Sequence, residues 1–341
     1  MNSDAPTPSL PTELPDAPPP GVQIFLGPDG LRAGWGILLF VAIFALLALS
    51  ADLLQTLFFP HSLGSFAFAT PTGVLLAEGR LLLIVALTTF VMAKIERRPL
   101  TAYGFACHRC LRNFSVGLVW GLALLSLLVF ILRATGLLVF DARLLHGAAA
   151  LRYAAIWSLG FLLVGLVEES TFRGYLQFTL ARGIGGVSHL LHATHADTIG
   201  FWTAAFVLSF GFGFTHHSNP GESPIGLLAA ALIALVFCLS LWRTGSLWWA
   251  IGFHAAWDWA ESFLYGVSDS GIVIVGRLFA THPTGRALLS GGLTGPEGSL
   301  YILLIVVLAT AVIFFPLPRN LRDKPAASPP RQPNSELGSI I

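Results

Sequence analysis

Residues 152–175 read RYAAIWSLGFLLVGLVEESTFRGY, and this stretch decides what kind of protein the chain is. From Tyr153 to Val167 no side chain is charged. Glu168, Glu169 and Arg173 then follow without a proline or a turn signal to end the helix. An apolar helix of ~20 residues is what a bilayer crossing requires. Carboxylates and a guanidinium in such a helix are costly, at least ~2.5 kcal/mol each near its centre, so they are functional candidates by default.

Seven further apolar stretches of comparable length flank this one, at approximately 33–58, 76–94, 114–138, 198–217, 225–242, 245–265 and 299–316. Pro60, Pro71, Pro99, Pro220, Pro224, Pro283 and Pro296 all fall between stretches, as expected of a residue that breaks helix interiors. The runs are too long for the ~10-residue alternating strands of a membrane barrel. The expected fold is an all-α polytopic transmembrane helix bundle of about eight spans.

Composition agrees. Charged residues make up 11% and hydrophobic residues 55%, with a mean hydropathy of +0.74. A soluble domain carries roughly 25% charged residues to cover its surface, so an ordinary soluble globule is excluded. The net charge of +1 gives no footprint for nucleic acid. Three cysteines do not build a disulfide scaffold, and Cys107-His-Arg-Cys110 reads as incidental. Eight of the 21 prolines lie in residues 1–30 and six in 316–341. The expected organisation is a disordered tail over 1–31, a transmembrane domain over 32–318 and a second tail over 319–341. Lys94, Arg97, Arg98, Arg109 and Arg112 follow the second stretch, and Arg319, Arg322, Lys324 and Arg331 follow the last. With an even number of spans, these clusters put both termini on the cytoplasmic side. Arg133, Arg143 and Arg152 fall on the opposite side and weigh against that orientation.

The charges at membrane depth form three groups. Glu169 and Arg173 are i, i+4 with the glutamate first, the favourable order for an intrahelical ion pair. Glu168 lies ~100° around the helix and stays outside that pair, which suits proton transfer. Ser209, Phe212 and His216 share a second helix face, with Gly211 and Gly213 expected to let a neighbouring helix approach. His254 and Asp258 are i, i+4 on a third helix, where they could hold a metal, polarise a water or position a carbonyl. Glu261, one turn further, is expected at the interface. The spaced His189, His192, His195 and Asp197 read as an unlikely metal set. Asp52, Glu78, Arg80 and Arg133 are left as interfacial or paired within the bundle.

Together, Glu168-Glu169-xxx-Arg173, Phe212-xxx-His216 and His254-xxx-Asp258 resemble the three ordered motifs of the CAAX protease and bacteriocin-processing family. That family includes type II CAAX prenyl endopeptidases and abortive-infection relatives. The resemblance covers about 155–262, with Arg173-Gly174-Tyr175 and Gly245-Ser246-Leu247-Trp248 as flanking agreement. Arg97 to Gly104 is similar to a basic loop often found upstream. The resemblance implies a membrane-embedded endopeptidase of glutamate or metallo type acting on a peptide or protein substrate, with lipidation of that substrate left open. Glu168 and His216 would activate a water, His254 and position 258 would stabilise an oxyanion, and Glu169 with Arg173 would hold Glu168 in place. Asp258 stands where the family usually has Asn, and an ionised Asp cannot donate to an oxyanion. A divalent cation such as zinc, held by Glu168, His216, His254 and Asp258, is left open. The alternatives are a proton-coupled transporter and a non-catalytic immunity or scaffold member of the same fold. The expected location is the cell (inner) membrane.

Overall fold

A computed structural model gives the fold for residues 24–27, 30–58, 69–107 and 109–314. The expected tails therefore fall almost wholly outside the described residues. Of the first, residues 24–27, 30 and 31 are described, including β1 (Leu26–Gly27) and β2 (Gly30–Leu31), a short antiparallel ladder.

The main elements are helical: α1 (Ala33–Phe58), α2 (Pro71–Ile95), α3 (Cys110–Ala134), α4 (Gly147–Glu169), α5 (Gln177–Leu190), α6 (Ala196–Thr215), α7 (Pro224–Thr244), α8 (Trp248–Asp258), the short α9 (Ala287–Ser290) and α10 (Ile302–Phe314). Two widened π-helical turns continue the chain without interruption, Ser170–Leu176 between α4 and α5 and Trp259–Tyr265 after α8. Six helical segments are long and apolar enough to cross a membrane: Ala33–Phe58, Pro71–Ile95, Cys110–Ala134, Gly147–Leu190, Ala196–Ser218 and Pro224–Thr244. The fold is all-α, as expected. Of the eight expected spans, the last two lack one long regular helix. Residues 245–265 are the short α8 plus a π turn, and α10 has 13 residues, below the ~17 a crossing requires.

Two helix starts can be traced directly to the sequence. Thr70 and Ser223 accept hydrogen bonds from Gly73 N and Gly226 N, both 3.1 Å, and each is followed by a proline at the first helical position. The side-chain cap satisfies an orphan amide, and proline supplies none.

The helices differ sharply in what they bury. On α1 only Gly36 and Phe40 are buried, while Leu46, Leu49 and Leu57 are 64–67% exposed. A helix apolar all round with so little packed surface is suited to lipid contact. On α8, nine of the eleven residues are buried, Trp249 to Phe253, Ala255 to Asp258. Small residues permit that. A β-carbon at Gly117 or Gly121 of α3 would stand 2.2 Å from Trp249 O and 2.3 Å from Phe253 O, and one at Gly252 of α8 would stand 2.2 Å from Phe114 O. The two backbones meet without side chains between them. Gly121→Leu is expected to cost about 1–3 kcal/mol by overpacking, read as a lower unfolding midpoint in detergent. An unchanged midpoint would show that this contact is not tight. Gly213 of α6 likewise faces Leu227 O at 2.4 Å, whereas Gly211 meets open space. Of the two glycines expected to admit a neighbour, only Gly213 does so.

One strand pair closes the opposite end. β3 (Leu138–Arg143) and β4 (Phe279–Pro283) are antiparallel, with a register shift between Phe140 and Ala142. They tie the α3–α4 connection to residues 266–298, a long segment folded over the end of α8. Several charges left open at sequence level find partners here. Arg80 pairs with Asp52, Arg133 stacks 4.9 Å over Phe140, and Glu78 is buried on α2. Cys107 and Cys110 are joined as a disulfide.

Candidate active site

The three motifs meet in the middle of the bundle. Glu168 and Glu169 end α4, and Ser170–Leu176 continues as a π turn. At this junction Thr171 Oγ1 donates to Val167 O at 2.7 Å, a back-bond that competes with the regular ladder. His254 and Asp258 precede the second π turn. Such turns occur frequently at functional sites.

Glu169 is the hub. It is fully buried, and its Oε1 accepts from Arg173 Nη1 at 3.1 Å and from His254 Nδ1 at 2.9 Å. The expected i, i+4 ion pair is present, and it reaches across to α8. The Arg173 guanidinium lies 4.3 Å over the Phe212 ring and 5.5 Å over Phe237, an arrangement favourable to a cation. Because Nδ1 of His254 donates to Glu169, Nε2 faces the other way, 3.6 Å from Glu168 Oε2 and 3.5 Å from Asp258 Oδ2. Glu168 is the open carboxylate of the group, with 29% of its side chain exposed against 0% for Glu169 and 11% for Asp258.

His216 lies just past the end of α6, in the turn His216–Ser218. Its Nδ1 donates to Phe212 O at 3.0 Å, which leaves Nε2 as the acceptor in the neutral ring. Its ring packs edge-on to Phe212 at 5.0 Å, so these two members of the expected face are neighbours. Glu168, His216, His254 and Asp258 all line one cavity of about 400 Å³.

The same cavity wall holds residues that the motifs did not reveal: Asn219, Asp269 and Glu297. Asn219 lies one turn past His216. Asp269 and Glu297 belong to the 266–298 segment and become neighbours of the motifs only through folding. Burial, then repulsion from Glu297, pushes the Asp269 carboxyl up to about 7, and burial raises that of Glu297. Glu261 departs most from expectation. It is 0% exposed rather than interfacial, because the π turn carries it inward beneath this segment.

The four residues considered for a metal do not gather as ligands. Among the described residues, the group whose carboxylate, imidazole or thiolate atoms lie mutually within 4.8 Å is Glu261, Asp269 and Glu297. His254 is held by Glu169 through Nδ1 alone, so its Nε2 stays available beside Glu168 and Asp258, but these three with His216 do not form such a group. His189 pairs with Asp197 at 3.1 Å on the surface, away from this centre.

The upstream loop is anchored to the same helices. Glu96, at the end of α2, accepts from Tyr175 at 2.8 Å and Tyr103 at 3.3 Å, with Arg98 and Arg182 each at 3.7 Å. Burial and the adjacent Glu96 raise the Tyr103 hydroxyl's pKa well above its usual value. Gly104, with φ of 86°, accepts from Leu247 N at 3.0 Å. A β-carbon there would press on Leu247 at 2.7 Å.

Fold and site thus define an integral membrane protein of apolar helices with a polar, carboxylate- and histidine-lined chamber inside it. Residues 150–260 match the family model described as type II CAAX prenyl endopeptidase Rce1-like. What this segment resembles is a family of membrane peptidases, and all three motifs fall within the match. No curated protein and no solved structure matches the chain.

Proposed function

We propose that the chain is an intramembrane endopeptidase that hydrolyses a peptide bond with a water activated by Glu168 and His216. The observation that carries this reading is the shared cavity: residues from α4, α6 and α8, separate in sequence, line a single chamber. Glu168 is the carboxylate open to it, and His216 offers an Nε2 acceptor on the same wall. A water between them would lose its proton to Glu168 as it attacks the carbonyl, and Glu168 would return that proton to the leaving amine. Glu169 fixes His254 by accepting from Nδ1, leaving Nε2 toward the reaction centre.

Asp258 takes the part of an orienting group, 3.5 Å from His254 Nε2, rather than an oxyanion donor. Asn219, which lines the same cavity, would supply a neutral amide donor. Asn219→Ala should lower kcat by roughly 10²-fold with little change in KM, the effect of losing one donor to the transition state. A change confined to KM would move Asn219 to substrate binding.

The matched family suggests a protein substrate cut near a prenylated C-terminus, and the apolar surroundings of the chamber suit a lipid-modified peptide. The basic connection after α2 and the basic residues following α10 favour cytoplasmic termini in the cell membrane. Purified chain in lipid should cleave such a peptide, and Glu168→Gln should abolish cleavage without unfolding the protein. Proton flux in vesicles that depends on a transported solute, with no cleavage, would instead establish a transporter.

A further inference from the structure

Behind the cavity wall, Glu261, Asp269 and Glu297 bring one carboxylate oxygen each to within 4.8 Å of one another. They come from three separate pieces of chain: the π turn after α8, the connection that follows it, and the short turn Pro296–Gly298. The backbone that holds them is closely fitted. Gly271 N donates to Thr294 O at 3.0 Å. Gly295, with φ of 110°, lies so near Ser268 that a β-carbon would stand 1.9 Å from its carbonyl oxygen and 3.5 Å from Glu261 Oε1.

Two of the three carboxylates are oriented by neutral donors. Trp257 Nε1 donates to Glu297 Oε1 at 2.7 Å and Ser270 Oγ to Glu297 Oε2 at 3.3 Å, while Ser262 Oγ donates to Asp269 Oδ2 at 3.0 Å. Glu261 differs. It is wholly buried, and neither of its oxygens has a hydrogen-bond partner. Among the described residues no arginine or lysine pairs with any of the three.

Each ionised carboxylate taken out of water costs several kcal/mol unless compensated, and three together repel one another as well. Compensation comes from protons or from a cation. A proton on Glu261 would satisfy at most one of its two orphaned oxygens and leave two carboxylates beside it, whereas a cation would engage all three groups at once. The spacing suits a shared centre, since oxygens bound at ~2.0–2.6 Å to one ion lie no more than about 4–5 Å apart. All-oxygen ligands select hard ions such as Mg²⁺, Mn²⁺ or Ca²⁺ over zinc.

We propose that Glu261, Asp269 and Glu297 form a binding site for one hard divalent cation, separate from the Glu168 and His254 centre. The ion fastens residues 266–298 to the end of α8 and enters through the cavity that Asp269 and Glu297 line. The proposal stands independently of peptidase activity, because its test reads binding.

Full-length protein in detergent, stripped with chelator, is titrated with Mn²⁺ while free Mn²⁺ is followed by electron paramagnetic resonance. The unfolding midpoint is measured in parallel with Mn²⁺, Mg²⁺ and Ca²⁺. The expected result is one Mn²⁺ per chain, displaced by Mg²⁺ or Ca²⁺, with a raised midpoint. Glu261→Gln and Glu297→Gln should each weaken the site by roughly 100-fold or remove it, whereas Glu168→Gln should leave it intact. Absence of stoichiometric binding, with a midpoint indifferent to all three ions, would overturn the proposal and assign protons to the cluster. Binding lost in Glu168→Gln but kept in Glu261→Gln would overturn it by placing the ion at the other centre. Should Glu261→Gln not fold, Asp269→Asn and the wild-type titration decide alone.

Discussion

Replacing Glu168 with Gln is expected to lower peptide turnover by roughly 10³-fold or more, near the upper end of what a positioned general base contributes. The amide keeps the shape but has no basic oxygen for the water's proton. The fall should appear in kcat with KM nearly unchanged, since the proton is taken only as the transition state forms. Stability should barely move. Glu168 has 29% of its side chain exposed, and its contact with His254 Nε2 at 3.6 Å is longer than a hydrogen bond. A partly exposed pair of this kind contributes about 0–1 kcal/mol. Turnover and melting measured on one preparation separate the two effects. A variant that melts normally and still cleaves would remove Glu168 as the base.

Arg173→Met should do the reverse, with instability as its first consequence. Arg173 and Glu169 are 2% and 0% exposed, and the guanidinium also covers Phe212 and Phe237. Removing one partner of a buried pair strands the other charge and costs about 3–5 kcal/mol. Glu169 Oε2 already has no hydrogen-bond partner, so only the His254 Nδ1 contact at 2.9 Å would remain on this carboxylate. Arg173→Lys should rescue only part, because an ammonium lacks the planar face that stacks between the rings. In the double variant Glu169→Gln, Arg173→Met much of the loss should return, since no buried charge is left uncompensated. Chemical unfolding in detergent measures all three. A mild effect from the single variant would mean that water reaches this pair.

The bundle was legible in the sequence because its signals are local. Apolar runs and the prolines between them place most of the helices, although the 152–175 run continues to Leu190, and the i, i+4 spacing of Glu169 and Arg173 foretold a contact within one helix. Contacts between distant segments carry no such signal. Nothing in the spacing of Gly117 and Gly121 says that they face Trp249 and Phe253. The largely buried α8 is too short to read as a regular crossing, because its neighbours rather than its own length place it inside. Glu261 looked interfacial because it lies one turn beyond Asp258, near the end of the 245–265 run. Asp269 and Glu297 sit in a glycine-rich connection whose sequence reads as loop, and only the pairing of β3 with β4 and the closely fitted glycines fold it onto the site.

The two widened turns also set a rotational phase. Each wide turn accommodates more residues than a regular turn, so the chain beyond it is rotated relative to a regular helix by up to ~100°, one residue's step. Deleting a single residue within Ser170–Leu176 or Trp259–Tyr265 would let the helix relax to regular pitch. Within these windows, Tyr175 would turn away from Glu96 in the first case, and Glu261 would turn away from its carboxylate neighbours in the second. The motif residues before each turn would keep their places while their supports rotated away. Chain length within these seven-residue windows is therefore as strict a requirement as the identity of the glutamates and histidines beside them.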